Sequence, residues 1–261
     1  MKFTKMHGCG NDFILIDSRS EKLNEINLKQ LAIDLCDRHF GIGADGLLIL
    51  WPSTKAHYKM QILNPDGSEA EMCGNGIRCL AKYVYEKDQL KEEVISVETP
   101  AGIRLPAVIL SPSGKVEGVE VDMGKAEIIN NLQLTTDQGT FEAQIISMGN
   151  PHAVIFTDDL SKINLLELGP QIENDPHFPS RTNVEFVKVL NDKELEVIVW
   201  ERGAGETMAC GTGACACVVA SGKKRALVHL PGGNLDIEIN EAGQVLMRGP
   251  AKKVFEGGLK Q

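Results

Sequence analysis

The stretch Met72-Cys73-Gly74-Asn75-Gly76 recurs 137 residues further along the chain as Ala209-Cys210-Gly211-Thr212-Gly213. In both copies a Cys-Gly-x-Gly turn leads into residues whose apolar spacing is helical. Glycine disfavours a helix interior, so two glycines in the first turn indicate that a ligand approaches the backbone closely there. The repeated turn therefore predicts two similar halves, each with a helix that begins after a cysteine.

Other positions follow the same repeat, although coincidence among common glycines is the alternative explanation. Four aligned positions that resemble site residues outweigh that alternative. We therefore predict two similar halves whose cysteine turns face each other across a cleft. The matching positions are Asn64 with Glu201 and Gly46 with Asn183 at the same spacing, and Gly10-Asn11 with Gly149-Asn150 at a spacing of 139.

Short apolar runs bounded by Gly, Pro, Asn and Asp predict many strands. Helical patterns are fewer, and they do not alternate regularly with the strands, which favours an α+β fold over a doubly wound sheet. The predicted strands include 13–16, 47–51, 58–63, 116–121, 184–189, 195–200 and 235–239. The first predicted helix begins near Asn27, and the other three cover about residues 74–86, 165–172 and 211–221.

The overall composition is that of an ordinary globular protein, with 43% hydrophobic and 24% charged residues. A net charge of −9 argues against a nucleic-acid partner or an anionic membrane surface, which need clustered Lys and Arg. No apolar stretch is long enough for a signal peptide or a membrane span. Seven cysteines without a secretory signal predict reduced thiols and a cytoplasmic location.

The start of a helix gives each cysteine turn a defined chemistry. Unpaired N–H groups and partial positive charge at a helix N-terminus lower the pKa of a thiol from about 8.5 toward the working pH. The same groups bind a carboxylate, whose charge grows as the adjacent carbon loses its proton. Cys73 and Cys210 are therefore candidate acid/base residues.

Structural burial is the alternative for any cysteine, because thiols are among the most buried side chains. A zinc knuckle and a disulfide oxidoreductase are further alternatives, but both favour Cys-x-x-Cys, and that spacing is absent from the chain. The structural interpretation is kept for the cysteines within apolar or helical patterns, which are Cys9, Cys36, Cys79, Cys215 and Cys217.

Two thiols on opposite faces of one carbon suit the inversion of a stereocentre. One thiolate removes a proton from Cα while the opposite thiol delivers one. The sequence contains no evident pyridoxal lysine site and no Gly-rich dinucleotide loop after a strand, so we predict no cofactor and no metal. Helix-end donors in a site that excludes water would then have to stabilise the carbanion.

Four long motifs in the same order resemble the diaminopimelate epimerase family, and the resemblance covers essentially the whole chain. The motifs are Lys5-Met6-His7-Gly8-Cys9-Gly10-Asn11-Asp12-Phe13, then Asn64-Pro65-Asp66-Gly67-Ser68 through Cys73-Gly74-Asn75-Gly76-Ile77-Arg78-Cys79, then Met148-Gly149-Asn150-Pro151-His152, and finally residues 201–213, ERGAGETMACGTG.

The resemblance implies cofactor-independent interconversion of LL- and meso-2,6-diaminoheptanedioate, in lysine and peptidoglycan precursor synthesis. It implies two pseudo-symmetric domains, each a mostly antiparallel β-structure wrapped around a central helix. The last strand, about 252–256, would return to the first domain. The expected domains are therefore residues 1–116 with 251–261, carrying Cys73, and residues 117–250, carrying Cys210. The family also suggests a homodimer.

By the same resemblance, Cys73 and Cys210 form the acid/base pair, and His152 and Glu201 support catalysis. A guanidinium binds a carboxylate with two hydrogen bonds and a carboxylate pairs with an ammonium, so Arg202 and Glu201 suit one amino-acid head of the substrate. The implied substrate-binding residues are Asn11, Asn64, Gly74, Asn75, Asn150, Asn183, Glu201, Arg202, Gly211 and Thr212.

Each implied role has a structural alternative. Glu201-Arg202 could be an exposed charge pair at a strand end, His152 a half-buried strand residue, and Arg78 a solvated helix residue. The asparagines could be ordinary turn residues. Many family members carry glutamine where this chain has Gly46, so that side-chain amide is missing here.

Two other functions compete with this hypothesis. A proline or hydroxyproline racemase of similar fold would also need two thiols, but its substrate would leave the Glu201-Arg202 pair without a purpose. A non-enzymatic thiol or zinc module is the alternative from a different class. We expect a small-molecule substrate, and no nucleic acid or membrane as partner.

Overall fold

The computed structural model describes residues 1–259. Its strands are β1 (Lys2–Gly8), β2 (Asn11–Asp17), β3 (Gly46–Trp51), β4 (Tyr58–Leu63), β5 (Glu69–Ala70), β6 (Val97–Thr99), β7 (Gly102–Arg104), β8 (Ala107–Leu110), β9 (Val116–Lys125), β10 (Glu127–Thr136), β11 (Gly139–Ser147), β12 (Pro151–Phe156), β13 (Asn183–Asn191), β14 (Glu194–Glu201), β15 (Gly205–Thr207), β16 (Arg225–Leu230), β17 (Gly233–Ile239), β18 (Gln244–Gly249) and β19 (Lys252–Gly258). The helices are α1 (Leu28–Cys36), α2 (Gly74–Lys87), α3 (Leu165–Glu173) and α4 (Gly211–Ala220), with a 3₁₀ turn at Leu160–Lys162.

The chain divides into two compact units. The first comprises Met1–Val121 and the segment that begins at Gly249, and the second comprises Asp122–Arg248. Strand β9 runs through the division at Val121 without interruption. The domain boundaries expected from the sequence, residues 1–116 with 251–261 and residues 117–250, stay a prediction.

The sheet of the first unit has the strand order β19-β1-β2-β3-β4-β6-β7, with β5 paired to β4. Its pairs are antiparallel except β2 with β3 and β4 with β6. Helix α2 packs against strands β1, β2, β3, β4 and β8. The predicted central helix of the N-terminal half is confirmed.

The sheet of the second unit runs β10-β11-β12-β13-β14-β16-β17-β18, with β15 paired to β14. Its parallel pairs, β12 with β13 and β14 with β16, occupy the same places as those of the first unit. In order along the chain, β2, α1, β3, β4, β5, α2 and β6 correspond to β12, α3, β13, β14, β15, α4 and β16. This correspondence confirms the predicted α+β fold of two pseudo-symmetric, sheet-rich domains.

The two central helices are surrounded by strands, and their sequences explain why. In α2 the fully buried Ile77, Leu80, Ala81 and Val84 recur at helical spacing. Helix α4 consists mainly of small or apolar residues on all its faces, which is typical of a helix that is enclosed on every side. Each Val or Leu removed from water in this way contributes about 1.5–3 kcal/mol to stability.

Candidate active site

Cys73 lies at the N-cap of α2, with extended backbone angles (φ −138°, ψ 119°). Its Sγ accepts a hydrogen bond from the N–H of Gly76 at 3.5 Å. The thiol therefore takes the place that a Ser or Asp side chain commonly occupies at a helix start. The first-turn N–H groups there carry the partial positive charge that the sequence predicted.

Asn11, at the start of β2, connects this thiol to the rest of the first unit. Its Oδ1 lies 3.8 Å from Cys73 Sγ and accepts a hydrogen bond from Asn75 Nδ2 at 3.1 Å. Its Nδ2 donates to Asp45 Oδ2 at 2.9 Å. Because a carboxylate only accepts hydrogen bonds, Asp45 fixes the amide so that its oxygen faces the thiol. Sequence reasoning brought Asn11 and Cys73 to one site but missed Asp45.

A cluster of charges holds the loop that carries Asp45. The Asp12 carboxylate forms ion pairs with Lys5 at 2.6 Å and Arg38 at 2.8 Å, and Arg38 also pairs with Asp45 at 2.6 Å. Burial by itself would raise the pKa of Asp12, but hydrogen bonds from Arg38 and Lys5 outweigh it and lower that pKa to about 2.

We expect the Asp12 cluster to make the protein sensitive to acid. The folded-state pKa of Asp12 is below its unfolded value, so its stabilisation is complete above about pH 4 and is lost as the pH falls toward 2. The free energy of unfolding should therefore fall less steeply between pH 4 and 2 in Asp12→Asn than in the unaltered protein. Urea titrations across that range measure the slopes, and equal slopes would contradict the prediction.

Arg78 corrects the interpretation of a solvated helix residue, because its side chain is fully buried. The guanidinium donates to the carbonyl oxygens of Pro250 and Gly74, each at 3.3 Å, and lies 3.9 Å from Cys9 Sγ. Arg78 therefore connects the first turn of α2 to the returning end of the chain. It also places a positive charge next to the first turn of the helix that Cys73 caps, through its hydrogen bond to Gly74.

Asn64 follows β4 in a polar turn. Its N–H donates to the Ser68 carbonyl at 2.8 Å, and its Nδ2 donates to Ser68 Oγ at 2.9 Å. These contacts give Asn64 a structural role in the turn, and its role toward substrate stays a prediction.

Cys210 occupies the equivalent place in the second unit, at the N-cap of α4 (φ −107°, ψ 115°). Its Sγ accepts from the N–H of Gly213 at 3.3 Å and lies 3.4 Å from Thr212 Oγ1. Burial raises the pKa of the Cys210 thiol well above its usual range, and the negative charges of Glu201 and Glu185 raise it further. The helix start and its surroundings therefore act on this thiol in opposite directions.

His152 belongs to the site of the second unit and is fully buried, not half-buried. Its Nε2 lies 3.1 Å from Asn150 Oδ1, and Asn150 Nδ2 donates to Thr212 Oγ1 at 3.3 Å. On its other side, His152 Nδ1 lies 2.7 Å from Glu185 Oε1. A continuous series of hydrogen bonds therefore runs from Glu185 through His152, Asn150 and Thr212 to Cys210.

The remaining candidates of the second unit lie where β13 begins and β14 ends. The buried Asn183 accepts from the Arg202 N–H at 3.0 Å and donates to the Pro151 carbonyl at 2.8 Å. Glu201 Oε1 accepts from Thr207 Oγ1 at 2.6 Å. The exposed Arg202 side chain donates to the Ser180 carbonyl at 3.2 Å. Asn183 thus supports the backbone that presents Glu201 and Arg202.

Packing explains the glycine at position 46. A Cβ atom there would lie 3.2 Å from the Leu63 carbonyl oxygen and 3.4 Å from the ring of Phe13. Glycine at this position relieves the contact between the start of β3 and its neighbours. A glutamine side chain would need these neighbours to move.

Cys73 and Cys210 cap helix N-termini, and Cys210 is itself buried, so burial alone does not separate these two thiols from the other five. Cys9, Cys36, Cys79, Cys215 and Cys217 are buried within the two units, as the structural interpretation predicts. Across residues 1–259, no three His, Cys, Asp or Glu side chains are grouped as metal ligands. Nor does that part of the chain form a helix with the length and hydrophobicity needed to cross a membrane.

Three functional candidates escaped sequence reasoning, namely Asp45, Arg78 as a buried charge, and Glu185. Glu185 had a detectable signal, because it interrupts the apolar run Val184-Glu185-Phe186-Val187. Asp45 and Arg78 had none beyond being charged.

Known proteins match this chain over its full length. A family described as diaminopimelate epimerase matches residues 3–129 and 144–254. Diaminopimelate epimerases from Pelotomaculum thermopropionicum and Moorella thermoacetica are 50% and 48% identical, and each match covers 98% of both chains.

Solved structures of low sequence identity share the fold. A phenazine biosynthesis protein of the PhzF family from Bacillus anthracis has a TM-score of 0.80 at 15% identity, covering 100% of this chain and 99% of that one. A hydroxyproline epimerase from Agrobacterium vitis has a TM-score of 0.74 at 16% identity, covering 98% and 91%. At such identities the likeness concerns the fold alone.

Proposed function

This chain belongs to the diaminopimelate epimerase family, and on that premise we propose that Cys73 and Cys210 together epimerise LL-2,6-diaminoheptanedioate to the meso form. The observation that carries the proposal is that each thiol caps a buried helix at the same place in a repeated topology. The family makes the chain an isomerase that acts on a small molecule.

The reaction needs one ionised and one protonated thiol. One thiolate takes the proton from Cα, and the electron pair of the broken C–H bond stays on the carbon. The other thiol then gives its proton to the opposite face, forming the new C–H bond and leaving a thiolate. The net result is inversion without oxidation, so no redox cofactor is required, and we propose that the enzyme uses none.

The weak acidity of Cα–H is the main barrier, and the helix starts address it. We assign the reacting carboxylate to the N–H groups of Gly74, Asn75, Gly211 and Thr212, where partial positive charge stabilises the charge that develops on deprotonation. Preorganised donors of this kind are each worth about 3 kcal/mol or more of transition-state stabilisation.

The polar side chains of the two units suit the remaining groups of the substrate. We assign the reacting amine to Asn11, whose oxygen is fixed near Cys73. Arg202 and Glu201 would bind the distal carboxylate and ammonium, because one offers a guanidinium and the other a carboxylate.

The other site residues have supporting roles in the proposal. His152 supports the protonation state of a cysteine, and Asn150 connects that ring to Thr212. Asn64 and Asn183 complete the binding of substrate.

Solvent exchange tests the substrate and the reaction together. In D₂O the enzyme should replace the α-proton of LL-diaminopimelate with deuterium, which ¹H NMR follows as a loss of the α-proton signal. L-Proline should exchange far more slowly, since it has no distal group for Glu201 and Arg202. Faster labelling of proline would overturn the assignment in favour of a proline-type racemase.

Metal analysis addresses the non-enzymatic alternative. Stoichiometric zinc in the purified protein, lost in Cys210→Ala, would favour a thiol or zinc module over the epimerase.

We further propose that the protein works in the cytoplasm as a homodimer, in lysine and peptidoglycan precursor synthesis. The family supports this placement. Sedimentation equilibrium at micromolar concentration tests the dimer, and a monomeric mass would contradict it.

A further inference from the structure

Glu185 is a buried carboxylate that the proposed mechanism has not used. Its side chain is fully buried in β13, between the apolar Val184 and Phe186. Oε1 lies 2.7 Å from His152 Nδ1, and Oε2 is buried with no hydrogen-bond partner among residues 1–259. A buried carboxylate with one unsatisfied oxygen is costly, so its position calls for an explanation.

The carboxylate lies directly against the helix that Cys210 caps. A Cβ atom on Gly213 would be only 2.5 Å from Glu185 Oε1. The first turn of α4 can therefore pack directly against this oxygen only because residue 213 is glycine. The N–H of the same Gly213 is the hydrogen-bond donor to Cys210 Sγ. The backbone of one residue, Gly213, therefore lies between the Glu185 carboxylate and the Cys210 thiol.

This position opposes the usual effect of a helix start. The N-terminal N–H groups favour a thiolate, whereas a negative charge held in the dry interior favours the neutral thiol. After burial itself, the charges of Glu201 and Glu185 are the largest causes that raise the pKa of Cys210. Glu185 contributes in the same direction to the raised pKa of Cys217, seven residues further along the chain in α4.

Other elements packed on α4 contribute few charges near Cys210. Besides Glu185, the titratable groups near Cys210 are Glu201 at the end of β14 and Cys215 and Cys217 on α4 itself. His152 on β12 is connected to Cys210 through Asn150 and Thr212. The charged groups His229, Asp236 and Glu238 of β16 and β17 are partly exposed and pair with Glu194, Arg225 and Arg248. The buried residues of β11, β16 and β17 are apolar, namely Ala143, Ile145, Ile146, Ala226, Val228, Leu230, Leu235 and Ile237.

At the pseudo-equivalent place of the first unit, the apolar side chain of Leu48 lies against Gly76, where the Glu185 carboxylate lies against Gly213. Arg78 is fully buried behind the first turn of α2, bonded to the carbonyl of Gly74. Arg78 thus brings a positive charge to the first turn of α2, whereas Glu185 brings a negative charge to the first turn of α4. The two pseudo-symmetric turns are therefore electrostatically unlike.

We propose that Glu185 is a positioning residue that holds Cys210 in its protonated form in the resting enzyme, so that Cys210 begins turnover as the proton donor. The inference rests on the proposed function and deepens it. Cys73 then begins as the thiolate that removes the Cα proton, and each turnover exchanges the two protonation states.

Titration of the resting protein tests this without substrate. We would label the full chain with [¹³Cβ]cysteine, assign the Cys210 signal with Cys210→Ser, and follow its chemical shift against pH. In Glu185→Gln the midpoint should move to lower pH by at least about one unit, because the negative charge that disfavours the thiolate is gone. Glu185→Asp, which keeps the charge, should restore most of the original midpoint.

Glu194→Gln is the matched control, since Glu194 forms another glutamate–histidine pair of the same unit, with His229 at 3.2 Å. It should leave the Cys210 midpoint unchanged. If Glu185→Gln does not fold, Glu185→Met removes the charge while keeping a similar side-chain length.

The direction of the shift decides the proposal. An unchanged or raised midpoint in Glu185→Gln would overturn the inference. That result in an enzyme that still labels LL-diaminopimelate would leave the proposed function standing. Absence of labelling by the unaltered enzyme would instead overturn the proposed function, whatever the titration shows.

Discussion

Replacing either Cys73 or Cys210 with alanine should lower the rate of epimerisation by at least about 10³-fold, because inversion in each direction needs both an acid and a base. Neither remaining thiol can take a proton from one face and return it to the other. The measurement is the conversion of LL- to meso-diaminopimelate by each variant at saturating substrate. Turnover near that of the unaltered enzyme in either variant would refute the two-base mechanism.

The fold should survive both replacements. Each removes one hydrogen bond from a helix start, a loss of the size of an N-cap, about 0.5–2 kcal/mol. Cys36→Ala is the matched control, since Cys36 is a buried thiol at the end of α1 outside the proposed site. It should unfold at a somewhat lower temperature and keep its activity, which separates loss of a thiol from loss of chemistry.

Local patterns made much of the fold predictable. Cys73 and Cys210 each precede a helix, and the structure begins α2 and α4 at the residue after each cysteine. Asn27, from which the first helix was predicted to start, is the N-cap of α1 and accepts from the Gln30 N–H. These helix starts depend on a few residues that are neighbours in sequence, so the local sequence is enough to predict them.

Buried charges were much harder to predict. Arg78 reads as a solvated side chain because the position of a guanidinium relative to water depends on strands far away in sequence. Its partner Pro250 lies 172 residues along the chain. Asp45 orients Asn11 only because β2 and β3 pair in parallel and bring their first residues together.

Glu185 was missed for a related reason. In a strand with period two, a polar residue between apolar ones is ordinarily assigned to the solvent side. Strand β13, however, has neighbours on both sides and α4 across one face, and its residues Asn183–Val187 are buried throughout. Interior strands normally read as continuous apolar runs. A glutamate within such a run is therefore the anomaly that marks a functional position.

Gly213→Ala should lower the free energy of unfolding by about 1–3 kcal/mol, the usual cost of overpacking an interior. The new methyl group would lie 2.5 Å from Glu185 Oε1, and this carboxylate cannot move into water because it is buried and hydrogen-bonded to His152. The strain exceeds the gain of about 0.5–1 kcal/mol that alanine brings to a helix in place of glycine. Urea unfolding of the purified variant measures the difference.

The pseudo-equivalent Gly76→Ala is the matched control for stability. There the nearest atom is Leu48 Cδ2 at 3.2 Å, the end of an apolar side chain that can shift, so the helix gain should offset most of the cost. Removing the carboxylate should relieve the contact, so Glu185→Ala with Gly213→Ala should cost less than the sum of the single changes. If the two glycine variants are equally stable, or the double variant is strictly additive, Glu185 does not press on the turn that presents Cys210.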